Sequence, residues 1–299
     1  MIDMSRVKGI VVPLITPLHE DETVDEKSLR RCVRHAVDAG VHGIFVNSTT
    51  GEGIALLDEE RKRSIEIVID EVDRKTPVFV GVSDTGTQRV LKNVEYANTL
   101  DADAIVAHPY FYYPLNHQSE LVAFYNEIIR VSKLPIMLYN IPGTTKIAIS
   151  IETVRELMKN ETIVGIKDSS VDYLYLLQLI ELKKTRPDFK IFIGKSNLWT
   201  AGILEGADGG LDGISNLIPA LCVELYDTII NHNIKRAFEL QHLLNDIWKV
   251  YECRSFLSGI KGALSLLGLC SPQVTKPNSP VTEIEMAKIK SIMKTHHLL

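Results

Sequence analysis

Four cysteines in 299 residues leave little room for metal or redox chemistry. Cys32, Cys222, Cys253 and Cys270 are far apart and form no C-x-x-C pair. Neither a zinc site nor a disulfide framework is indicated. Long apolar runs are also missing, and the longest are far too short to cross a bilayer. The opening stretch MIDMSRVKGIVV lacks the apolar core and small-residue cleavage site of a signal peptide. Runs of one charge are absent: 33 basic and 38 acidic residues are interspersed, for a net charge of −5. That argues against a nucleic-acid surface. No linker or low-complexity segment breaks the chain. These absences together point to a cytoplasmic protein with neither membrane nor nucleic-acid partners. In that compartment the sequons at Asn47 and Asn160 carry no meaning.

What the chain does have is rhythm. Its 45% hydrophobic content can fill a large core. Short apolar runs recur as GIVVPLIT, GIFVNS, PVFVGVS, AIVAHP, PIMLYN, IVGIKDS, KIFIGKS and GGLDGIS. Their continuous apolar character is that of strands covered on both faces. Between them run amphipathic patterns such as DEKSLRRCVRHAVDAG, which ends on a helix-stopping glycine. LDEERKRSIEIVIDEV opens with acidic residues suited to a helix start. Eight β-α alternations in this length predict an α/β fold, a (β/α)8 TIM barrel, better than a doubly wound sheet. From Pro219 the pattern becomes helical only. The expected division is a barrel over 1–230 carrying the site and a C-terminal helical extension over 231–299.

In such a barrel, chemistry gathers at the C-terminal strand ends. Those ends read NSTTGEG (Asn47–Gly53), Ser83-Asp84, HPYFYYP (His108–Pro114), Tyr139-Asn140, Lys167-Asp168 and Lys195-Ser196. STTGEG offers hydroxyls, backbone N–H groups and the N-terminus of a following helix, a set suited to a carboxylate. It reads equally as an ordinary capped turn, Ser/Thr followed by Glu. HPYFYYP reads as a binding loop or as subunit packing. IGKS resembles the tail of a phosphate-binding loop, but Phe189 stands where that motif needs its first glycine.

Lys167 poses the sharpest question. Lysines commonly end strands where they reach water. A partly desolvated lysine at a barrel mouth instead attacks carbonyls to form an iminium. The iminium withdraws electrons and stabilises the carbanion formed when a C–C bond breaks. Tyr139, on the neighbouring strand, is a candidate proton carrier. Alone, it reads as well as a core tyrosine with a satisfied hydroxyl. A divalent metal could play the iminium's part, but no close His/Asp/Glu cluster with ligand spacing is present, and no metal or cofactor is expected.

STTGEG, PYFYYP, YNIP (Tyr139–Pro142) and GIKDSS (Gly165–Ser170), in this order and at these intervals, resemble the N-acetylneuraminate lyase/dihydrodipicolinate synthase family of class I aldolases. The resemblance runs over nearly the whole chain. It implies that Lys167 forms the Schiff base with pyruvate or another 2-keto acid and that Tyr139 shuttles protons. Thr49 and Thr50, with Gly51, would bind the carboxylate, and Leu211 would line the site. It further implies a homotetramer, a dimer of dimers, in which an aromatic loop lends a tyrosine to its neighbour. Counting back from Pro114 gives Tyr112 that role; counting forward from Pro109 gives Phe111. Two departures bear on substrate. Dihydrodipicolinate synthases carry an arginine where this chain has Thr144, and threonine cannot replace its bidentate grip. Sialic-acid lyases carry an Asp-Glu pair where this chain has GKSNLW. Thr144, Thr145, Ser169, Lys195, Ser196 and Asn197 suit a shorter polyhydroxylated acid. The expectation is cleavage of a 2-keto-3-deoxy sugar acid to pyruvate and an aldehyde. Dihydrodipicolinate synthesis, sialic-acid cleavage, dehydration and silent keto-acid binding are the alternatives.

Overall fold

A computed structural model describes residues 7–299; the first six residues of the stretch read for a signal peptide lie outside the described residues. The strands are β1 (Gly9–Pro13), β2 (Gly43–Val46), β3 (Val78–Gly81), β4 (Ala104–Ala107), β5 (Ile136–Asn140), β6 (Ile163–Asp168), β7 (Lys190–Ile193) and β8 (Gly209–Gly210). They close into a barrel in chain order, so the (β/α)8 expectation holds. The first eight helices are α1 (Glu26–Asp38), α2 (Asp58–Val72), α3 (Thr87–Ala97), α4 (Gln118–Val131), α5 (Pro142–Thr145), α6 (Ile151–Leu157), α7 (Tyr173–Leu182) and α8 (Trp199–Glu205). After the last strand come α9 (Pro219–Ile230), α10 (Ile234–Trp248), α11 (Phe256–Leu266) and α12 (Glu283–Thr295). Among the described residues no helix is long and apolar enough to cross a membrane.

By contacts the chain divides into two interleaved units. One comprises 7–9 and 77–211, the other 10–76 and 212–299. In the first, β3 to β8 pair in parallel, each with the next. Their strand residues are almost all buried, as the continuous apolar runs require. β8 is only two residues long. A Cβ on Gly209 would strike the backbone of Gly9, and one on Gly210 the Trp199 ring. Only glycine permits that approach.

In the second unit, Asp25 caps α1 by accepting from the Ser28 backbone N–H at 3.1 Å. Arg30 on α1 binds Glu26, Asp70 and Glu71, tying α1 to α2. Asn216 accepts from the Ile15 N–H at 3.0 Å and donates to the Pro13 carbonyl at 2.9 Å. It thereby fixes the segment after β8 to the end of β1. Helices α9 and α10 pack on each other, so residue 230 here marks a turn between touching helices. The α12 N-terminus is a reciprocal capping box of Thr282 and Glu285.

Candidate active site

The first unit holds the amine. Strand β6 is IVGIKD, and its Gly165 lets β7 approach closely: a Cβ there would lie 2.5 Å from the Lys190 carbonyl oxygen. Lys167 pairs in register with Tyr139 of β5, so the two side chains share one face at adjacent strand ends. Both are buried, each 3% exposed, and the Lys167 Nζ sits 4.0 Å from the Tyr139 ring centroid. That distance is well inside cation–π range. One position on, Asn140 donates to the Asp168 carboxylate at 2.8 Å and accepts from the Ile149 N–H at 3.0 Å. Ser170 also donates to Asp168, from its hydroxyl at 2.9 Å. Burial raises Asp168 to about 6, although these donors pull the other way.

His108 is the neighbour the sequence reading left without a role. It ends the β4 run, 7% exposed, with its ring 6.0 Å from Tyr139 and 5.7 Å from Phe111. Burial lowers it to about 4, with the nearby Lys167 charge acting in the same direction. It is therefore neutral at pH 7, and an uncharged ring beside the amine adds no repulsion.

Ser169 is buried next to Gly194: a Cβ on that glycine would collide with the Ser169 hydroxyl. Lys195 follows, half-buried, and forms no ion pair among the described residues. Leu211 is fully buried and its N–H donates to the Ile193 carbonyl at 2.9 Å. Thr144 and Tyr112 both line a cleft of about 580 Å³, with Phe111, Tyr113 and Gln118. Phe111 packs on His108, whereas Tyr112 is 84% exposed, with left-handed backbone (φ 84°). Thr145 is buried and its hydroxyl donates to the Ile147 and Ile141 carbonyls at 2.9 and 3.1 Å. Its polarity is used to fold the loop.

The second unit holds the STTGEG turn. Contrary to the sequence reading, no helix starts there. The N-cap position of α2 is Leu57, and no side chain caps it. Glu52 is left-handed (φ 58°), and a Cβ on Gly53 would lie 2.6 Å from the Asn47 carbonyl oxygen. The turn is wound too tightly to continue as helix. Thr50 is buried and Thr49 half-buried. Gly51 donates from its N–H to the Ser48 hydroxyl at 3.0 Å, and its carbonyl accepts from Thr16 at 2.7 Å. Glu52 is not a helix cap. Its carboxylate forms an ion pair with Lys261 and accepts from the Thr275 N–H and hydroxyl at 2.6 and 2.7 Å. Lys261 was missed in the sequence, yet a lysine inside the apolar stretch SGIKGAL was the signal for it. Among the described residues no three His, Cys, Asp or Glu side chains gather to hold a metal ion.

The chain matches the model of the dihydrodipicolinate synthetase family over residues 6–296. It is 34% identical over 273 residues to an uncharacterised DapA-like lyase of Pyrococcus furiosus, covering 91% of each chain. It is 31% identical over 270 residues to the 4-hydroxy-tetrahydrodipicolinate synthase of Methanothermobacter thermautotrophicus, covering 88% of this chain and 93% of that one. Its fold superposes with a TM-score of 0.94 on YagE of E. coli K12, a prophage protein of the dihydrodipicolinic acid synthase family solved with pyruvate. Sequence identity there is 28%, over 98% of this chain and 100% of that one.

Proposed function

The chain belongs to the dihydrodipicolinate synthetase family of class I pyruvate-dependent lyases, and from that premise we propose that it cleaves a 2-keto-3-deoxy sugar acid to pyruvate and an aldehyde. The observation that carries this reading is the Lys167 amine held over the Tyr139 ring on register-paired strand ends. The amine adds to the C2 carbonyl and water leaves, giving the iminium. Tyr139 takes the proton of the C4 hydroxyl. The C3–C4 electron pair passes into the iminium, the aldehyde departs and an enamine remains. Protonation at C3 and hydrolysis release pyruvate and the free amine. Thr49, Thr50 and Gly51 hold the keto-acid carboxylate. Thr144, Ser169 and Lys195 meet the hydroxyls of the far end, and Leu211 forms a wall.

Tyr112 serves a neighbouring copy in a tetramer. Its exposure, shared with Tyr113 at 68%, supports that role. The relative from Methanothermobacter favours a second reading, condensation toward 4-hydroxy-tetrahydrodipicolinate. Against it, the cleft beside Thr144 is lined among the described residues by one cation, Lys146, whose Nζ is turned back onto the Gly143 carbonyl at 2.8 Å. Little there would receive a second carboxylate.

The test is pyruvate with borohydride, followed by mass spectrometry. A single reduced adduct on wild type, absent from Lys167→Ala, is expected. An unchanged adduct in that variant overturns the reading. Products from a panel of keto acids then separate sugar-acid cleavage from condensation.

A further inference from the structure

One hydroxyl in the second unit has no use in the fold. Tyr251 lies in the 3-10 turn Lys249–Cys253, its ring edge-on to Trp248 and Phe256 with centroids 5.2 and 6.3 Å away. The ring is well packed. Its hydroxyl is buried without a hydrogen-bond partner among the described residues. Such an orphan costs stability, and replacing it by an apolar group of the same shape is near neutral or favourable. A phenylalanine would serve the packing equally well.

Where the hydroxyl points supplies the reason. A Cβ built on Gly213 would lie 2.8 Å from the Tyr251 oxygen, and 3.0 and 3.1 Å from Thr50 Cγ2 and Oγ1. Tyr251 and Thr50 thus border the same small space over Gly213, which a larger residue at 213 would fill. Gly213 opens the 3-10 turn directly after β8, and Thr50 stands in the turn after β2. Both belong to the strand ends where a barrel does its chemistry. Burial and the nearby Asp212 charge push the phenol's pKa well up, so it stays a hydrogen-bond donor at every working pH. Asp212 itself is engaged: its side chain accepts from the Ile214 N–H at 3.0 Å.

We propose that Tyr251 is a further substrate-binding residue, whose O–H donates with that of Thr50 to a carboxylate oxygen of the 2-keto acid over Gly213. This deepens the function proposed above and rests on it.

The test follows the pyruvate dependence of borohydride trapping in wild type, Tyr251→Phe, Gly213→Ser and the double variant, alongside melting temperature. Removing one bond to a charged group should raise the half-saturating pyruvate concentration roughly tenfold to a hundredfold in Tyr251→Phe. The melting temperature should stay level or rise. Gly213→Ser alone should also weaken binding, because its Cβ enters the shared space. In the Tyr251→Phe background it should recover part of the loss, since the serine hydroxyl takes the phenol's place. Unchanged half-saturation in Tyr251→Phe overturns the proposal. So does weaker binding that comes with a lower melting temperature, which assigns the hydroxyl to folding. If wild type forms no adduct, the function reading fails instead. Calorimetric pyruvate binding to wild type and Tyr251→Phe then judges the hydroxyl alone: a weaker Phe variant sustains it, and equal or absent binding overturns it.

Discussion

Among the buried lysines, Lys167 of the first unit and Lys261 of the second have different surroundings. Lys261 is fully buried in α11, ion-paired with Glu52, and donates to the Gln273 carbonyl at 2.8 Å. Glu52's other bonds go to Thr275. Burial lowers the Lys261 pKa and the Glu52 charge opposes it. This amine is a tie between the STTGEG turn and the segment after α11. The Lys167 Nζ lies over the face of Tyr139. An aromatic face stabilises a cation and, unlike a carboxylate, carries no net charge. A carboxylate cannot release its lysine without leaving a buried charge; a ring can. Burial alone therefore does not mark a reactive lysine. Its partner does.

The largest effect that would break this comparison is on turnover. Lys167→Ala should lower kcat by on the order of 10⁶, the scale for removing a covalent nucleophile. Its fold should persist, which circular dichroism and melting would check. Substantial residual turnover with intact product specificity would return Lys167 to the class of structural lysines.

Next comes the ring. Tyr139→Phe keeps the aromatic face over which Lys167 lies and removes only the hydroxyl. The rate should fall by on the order of 10² to 10⁴, while pyruvate trapping slows but survives. Full activity would mean that the ring matters only as a support for the amine.

Much of this was legible in the sequence, for reasons that also explain the gaps. Eight apolar runs, unalternated because both faces are covered, gave the barrel. Lys167 and Tyr139 could be singled out because each interrupts such a run at its C-terminal end, and strand order made them neighbours. The helix expected at STTGEG failed because the left-handed Glu52 is a backbone feature that residue identity does not announce. Glu52 with Lys261, and Tyr251 with Gly213, are pairs between distant parts of the chain. Periodicity reports which residues are buried but not which buried residues meet. Thr145 was placed with the substrate-facing residues because its polarity was visible, whereas its bonds to Ile141 and Ile147 were not.

A stability measurement tests the other lysine. Lys261→Met leaves Glu52 buried and uncompensated, which should cost about 3–5 kcal/mol. Adding Glu52→Gln should restore most of that, because the uncompensated charge is gone. Denaturant unfolding of the two variants measures both numbers. A Lys261→Met protein as stable as wild type would show that the ion pair is not the tie described.

The smallest effect concerns the acid–base groups around Lys167, and it is hidden by compensation. His108 holds its proton less tightly when folded, at about 4 against an ordinary 6.5. Its contribution to stability is fully present above pH 6.5 and is lost as pH falls through about 4. Asp168 is displaced the other way, to about 6 from 3.8. Its contribution is present below 3.8 and is lost as pH rises through about 6. Each displacement corresponds to roughly 3 kcal/mol. Acidification from 6.5 to 4 therefore weakens the fold through His108 and strengthens it through Asp168, and the two nearly cancel. Wild-type stability should be almost flat over that range as far as this pair decides it. Asp168→Asn, which removes the titrating group at 168, should uncover the His108 term as a loss of roughly 3 kcal/mol between pH 6.5 and 4. A proton-NMR titration should find His108 near 4 in wild type and somewhat higher in Lys167→Met, because the lysine's charge is one of the forces holding it down. An unmoved His108 in Lys167→Met would mean that the amine exerts no field on the ring beside it, and that burial alone keeps the ring neutral.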